Sequence, residues 1–155
     1  MEYLYPVAAA VAAWIFGAAW YGVLGKQYQR ALGKDPGASA RAGATKDEPA
    51  RAGTTKDEVC RDQKMPVAPL VACFVGELVM AAALSWLLAR MSVVGWMWGA
   101  MAGAIIGIGV ILPTVVINHM FPGRSKALML IDGLHWVAVA VIEGAVLGAF
   151  AAIAP

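Results

Sequence analysis

The sequence predicts an all-α integral membrane protein: a four-helix bundle with both termini outside and one long cytoplasmic loop. Three observations carry this. Hydrophobic residues make up 61% of the 155 positions, against the roughly 45–50% usual in soluble domains. Four stretches (3–25, 67–89, 93–119 and 127–153) each run 23 residues or more with almost no charge. About 20 apolar residues span the hydrocarbon core of a bilayer. The charged residues, 14% of the chain, fall mainly in a single polar loop at 34–64. The longest segment outside the apolar stretches, 26–66, is about 40 residues, too few for a second, soluble domain. The mean hydropathy of +0.69 agrees with this class.

The first stretch reads as a retained anchor. Its leading residues, Met1 and Glu2, carry no Lys or Arg, and its apolar run is too long for a cleaved signal. Residues 26–33 (KQYQRALG) continue its helical pattern and should lie at the membrane interface. The loop that follows holds a tandem decapeptide, ARAGATKDEP at 40–49 and ARAGTTKDEV at 50–59. Small residues and mixed charges cannot build a core, so a solvated insertion is expected, with docking of a partner as the alternative. The second stretch contains Cys73, expected as a small packing residue, and Glu77. Cys60 lies in the loop, so the two cysteines make no disulfide framework.

The third stretch contains Gly95, Gly99, Gly103 and Gly107 at successive i+4 spacing. Such a row forms a flat ridge that lets another backbone approach closely. Ala140, Gly144 and Gly148 repeat the device in the fourth stretch, and Ala9, Ala13 and Gly17 in the first. The pattern predicts tight helix contact without saying whether it lies within one chain or between chains. Pro113 removes a backbone hydrogen bond and should kink the third helix, as a static packing feature.

Basic residues set the expected orientation. Nine of the twelve Lys and Arg lie between the first two helices, Arg124 and Lys126 lie between the last two, and the opposite face has only Arg90. This bias places both basic loops in the cytoplasm. The protein is then expected in a bacterial inner membrane, in contact with lipid, with no nucleic-acid partner.

The buried polar candidates are Glu77, Asp132, His135 and Glu143. Glu77 is about 15 Å into its helix and His135 about 12 Å from the same side, so the two should meet. Asp132 and Glu143 are three helical turns apart and share a face. Hydrogen bonds between membrane helices average only about 0.6 kcal/mol, so stability is a weak reason to bury a carboxylate. Intramembrane ionisable groups mark proton paths, cation paths and polar cavities, and these are the functional alternative. No catalytic motif, cofactor site or metal site is expected: Walker, GxSxG, HExxH and CxxC patterns are all absent. Asp132, His135 and Glu77 are suitable metal-ligand types without diagnostic spacing. A haem held by both histidines is disfavoured, because His119 ends its helix at the surface while His135 is about 12 Å deeper.

Two segments carry a family likeness. The start, MEYLYPVAAAVAAWIFGAAWYGVLGKQYQRALG, joins an alanine-rich helix to a Trp-Tyr close and a Gly-Lys exit. The stretch HMFPGRSKALMLIDGLHWVAVAVIEGAVLGAF joins a short basic turn to a final helix. Together they resemble the bacterial membrane family catalogued as domain of unknown function 1761. The resemblance implies four membrane helices and no assigned activity, and the decapeptide repeat is not part of it. The function expected is therefore that of a small non-enzymatic membrane protein acting through helix packing, by self-association or as an accessory subunit. The alternative is a proton-coupled small-solute carrier or channel-like protein using Glu77, His135 and Glu143.

Overall fold

The computed structural model describes residues 4–33 and 67–153. These form four helices: α1 (Leu4–Ala31), α2 (Val67–Arg90), α3 (Trp96–Met120) and α4 (Lys126–Ala151). Each is long and apolar enough to cross a membrane, and no strand occurs among the described residues. The chain is a multi-pass membrane protein. The decapeptide repeat at 40–59 and Cys60 lie outside the described residues.

α4 is the centre of the bundle. It packs along α3 and α1 and also touches α2, while α2 barely meets α3. Two adjacent buried rows on α4 explain this position. One is Ala140, Gly144 and Gly148; the other is His135, Val139, Glu143 and Leu147. Both repeat every four residues, so each forms a ridge on one side of the helix.

The small-residue row locks α4 to α3. A Cβ added at Gly99 would strike the carbonyl of Gly144, and one at Gly103 would strike the carbonyl of Ala140. In return, a Cβ at Gly144 would strike the carbonyl of Gly99. Gly107 continues the ridge against Val137. Without a hydrophobic drive between helices in lipid, such close approach is the main source of packing attraction. Gly95 does a different job. It precedes α3 with φ of 101°, a backbone conformation that side chains resist. Its N–H donates to the carbonyl of Gly148 at 2.8 Å, which ties the start of α3 to the end of α4.

On the other side, Ala9, Ala10, Ala81, Leu84, Leu88 and Leu147 join α1, α2 and α4 in one apolar cluster. Tyr5 stacks on Phe150 at 4.7 Å beside it. Large apolar side chains such as Val23, Val79, Trp86, Trp96 and Ile105 face outward, as a lipid-contacting surface requires. Cys73 also faces outward, so it does not pack between helices as its apolar setting suggested.

α3 contains a wide turn where the proline predicts a kink. Residues Gly107–Ile111 are π-helical, and the N–H of Leu112 bonds the carbonyl of Gly107, five residues back. Pro113 has no N–H to continue the ordinary ladder. The Thr114 hydroxyl donates to the Val110 carbonyl at 2.8 Å, one turn back.

The α3–α4 contact generates a paired prediction. Gly103→Ala and Gly144→Ala should each lower thermal stability by about 1–3 kcal/mol, because the new methyl meets backbone that cannot turn aside. Gly22→Ala and Gly76→Ala have nothing within 4 Å of the new atom, and should be neutral or stabilising. Melting in detergent checks this; equal effects across all four would mean that α3 and α4 do not touch backbone to backbone.

Candidate functional site

Glu77, His135 and Glu143 point into the bundle, where they are 2%, 4% and 0% exposed. Gly17 of α1 makes room for two of them. The place a Cβ would occupy there is 3.0 Å from His135 Nε2 and 3.8 Å from Glu77 Oε1. Glu77 and His135 thus flank the same glycine, but no hydrogen bond joins them. Glu143 lies eight residues beyond His135, about 12 Å further along α4, and within electrostatic reach of Glu77.

These side chains are unpaired to an unusual degree. Both carboxylate oxygens of Glu143, both ring nitrogens of His135 and Oε2 of Glu77 are buried with no hydrogen-bond partner among the described residues. The indole N–H of Trp20 nearby is in the same state. Leaving a buried polar group unsatisfied costs about 1–3 kcal/mol, and native chains rarely do so. Groups kept only for packing would bond one another or a facing carbonyl.

Aromatic rings enclose His135. Phe16 stacks on it at 6.1 Å with planes 15° apart, and Tyr21 lies at 4.8 Å, Trp136 at 5.3 Å and Trp20 at 6.3 Å between centroids. The arrangement places three side chains that can carry a proton in the interior of the bundle.

Asp132 does not join this set. Its Oδ1 accepts from the Tyr21 hydroxyl at 2.8 Å, and its Oδ2 is 2.9 Å from His119 Nε2. Among the described residues no group of three or more His, Cys, Asp or Glu could hold a metal ion. Neither His119 nor Tyr21 carries a sequence signal that pairs it with Asp132.

The wide turn in α3 explains how His119 reaches Asp132. Counted from Gly107 along an unbroken α-helix, His119 would stand about 120° off the glycine ridge. A π-turn adds the equivalent of one residue, about 100°, and returns the side chain to within about 20° of the ridge that faces α4. Pro113 was the signal for this rotation. The α4 start is fixed alongside: Ser125 caps it by accepting from Leu128 N at 3.3 Å, and its hydroxyl donates to the Ala31 carbonyl at 3.0 Å.

A family model described as "Protein of unknown function (DUF1761)" matches residues 5–148. No curated protein and no solved structure matches the chain.

If the Glu143 carboxyl is a functional group carried at the expense of stability, a similar-sized apolar side chain should be tolerated. Glu143→Met should melt no lower than wild type and gain on the order of 1–3 kcal/mol. A clear fall in melting temperature would mean that the carboxyl is a structural anchor after all.

Proposed function

This chain belongs to the family described as "Protein of unknown function (DUF1761)", and we propose that it handles protons inside the membrane, as a carrier or channel-like protein for a small solute, through Glu77, His135 and Glu143. The observation that carries this is the set of five buried, unpartnered polar atoms on those three side chains. In a bilayer such groups are expensive, and they mark proton relays and solute paths. Glu77 of α2 and His135 of α4 converge on the side-chain-free position Gly17, and Glu143 follows two turns further along α4.

Other parts of the proposal follow from the sequence. The protein is taken as non-enzymatic, since no catalytic motif stands in the chain. The Lys and Arg bias puts the α1–α2 and α3–α4 connections in the cytoplasm and the termini outside, in a bacterial inner membrane. Self-association or service as an accessory subunit has less in its favour. The glycine rows that suggested it are taken up between α3 and α4 of one chain.

The test is proton movement in vesicles carrying the purified protein and an internal pH-sensitive dye. Wild type should dissipate an imposed pH gradient several-fold faster than protein-free vesicles. Glu77→Gln and Glu143→Gln should bring the rate back toward that of empty vesicles while keeping helical content. Wild type indistinguishable from empty vesicles would overturn the proposal.

A further inference from the structure

Beside the buried set stands a second titratable cluster, built from three helices. His119 of α3 is held at both ring nitrogens. Nδ1 is 2.9 Å from the Val115 carbonyl and Nε2 is 2.9 Å from Asp132 Oδ2. A carbonyl only accepts, so Nδ1 carries a proton. The contact at Nε2 then needs one more, either on the imidazole or on the carboxyl. The geometry of the pair thus leaves a place for one proton between Nε2 and Oδ2. Tyr21 of α1 completes the cluster by donating to Asp132 Oδ1 at 2.8 Å.

This pair is also the exposed end of a series. The side chains of His119 and Asp132 are 21% and 13% exposed, whereas those deeper in the bundle are almost sealed. Asp132 is one helical turn from His135 on α4. Tyr21 links the two directly, with its hydroxyl on Asp132 and its ring 4.8 Å from the His135 ring. Exposure falls from His119 through Asp132 and His135 to Glu143, so the gradient has one open end, beside the α3–α4 turn.

We infer that His119 and Asp132 form the mouth at which protons are exchanged between the solution beside the α3–α4 turn and the buried set of Glu77, His135 and Glu143. This rests on the proton-handling function proposed above and names the proton as the species exchanged there. In the loading step a proton from solution binds His119 Nε2. The N–H bond breaks as an O–H bond forms on Asp132 Oδ2, and the imidazole returns to neutral with Nδ1–H still on Val115. Among the described residues, Tyr21 and Tyr28 from α1 and His135 from α4 lie within electrostatic reach of Asp132, while Arg124 from the turn and Cys73 from α2 lie within reach of Tyr28.

Proton flux into vesicles tests the mouth with His119→Gln, His119→Ala and Asp132→Asn, each confirmed as folded by circular dichroism. All three should slow the flux several-fold, and added imidazole should restore it in His119→Ala by carrying the proton in place of the lost ring. Slow flux without imidazole rescue would make the cluster a clamp between helices and overturn the inference. Wild-type flux in folded variants would overturn it too, while slow flux in Glu143→Gln in the same assay would leave the proposed function standing. No flux in wild type would remove both. If Asp132→Asn fails to fold, the two His119 variants decide, since they leave the Tyr21–Asp132 hydrogen bond in place.

Discussion

The backbone contact between α3 and α4 is the constraint on which the rest of this molecule depends. In hydrocarbon, one apolar side chain is as well placed against lipid as against another helix. What holds helices together is how closely they can approach. Gly99 and Gly103 meet Gly144 and Ala140 with no side chain between them. Gly95 adds a hydrogen bond to Gly148 at the end of the contact. Once α3 is fixed on that row, the neighbouring row of α4 is turned toward α1 and α2. That second row carries His135 and Glu143.

Two devices then set the polar chemistry. Gly17 removes bulk where His135 and Glu77 converge, so the bundle can enclose both without parting α1 from α4. The π-turn at Gly107–Ile111 re-aims the second half of α3. Without that rotation the helix could follow the glycine ridge or deliver His119 to Asp132, but not both. π-turns often sit at functional positions, where a local loss in helix geometry is retained for the side chain it redirects. The two clusters differ in kind. Asp132 is bonded by Tyr21 and His119 and joins three helices, whereas the Glu143 carboxyl is sealed with no hydrogen-bond partner among the described residues.

Much of this was legible in the sequence, because the bilayer makes simple demands. Four uncharged runs of spanning length identify four helices, and a glutamate within such a run stands out at once. The glycine spacing likewise announced close packing. Its partner was not legible, since a flat ridge serves a neighbouring chain as well as a neighbouring helix. Gly95 shares the ridge spacing, but its positive φ sets it apart, and spacing carries no dihedral information. The Tyr21–Asp132–His119 cluster was hidden for a sharper reason. At an even 3.6 residues per turn His119 falls off the ridge that faces α4, and one π-turn before Pro113 shifts every residue after it by about 100°. Asp132 was accordingly grouped with Glu143, whose face it shares on α4, although its hydrogen bonds go elsewhere.

Glu143, through both carboxyl oxygens, and Glu77, through Oε2, have no hydrogen-bond partner among the described residues, and the proposed function requires both carboxyls to exchange protons. Infrared difference spectroscopy of the protein in lipid nanodiscs, recorded across a pH step, measures this directly. A carboxyl that changes protonation gives a C=O stretching band that appears or disappears with the step. The account predicts such bands in wild type, one lost in Glu143→Gln and another in Glu77→Gln. A spectrum with no pH-dependent carboxyl band from either residue would contradict it.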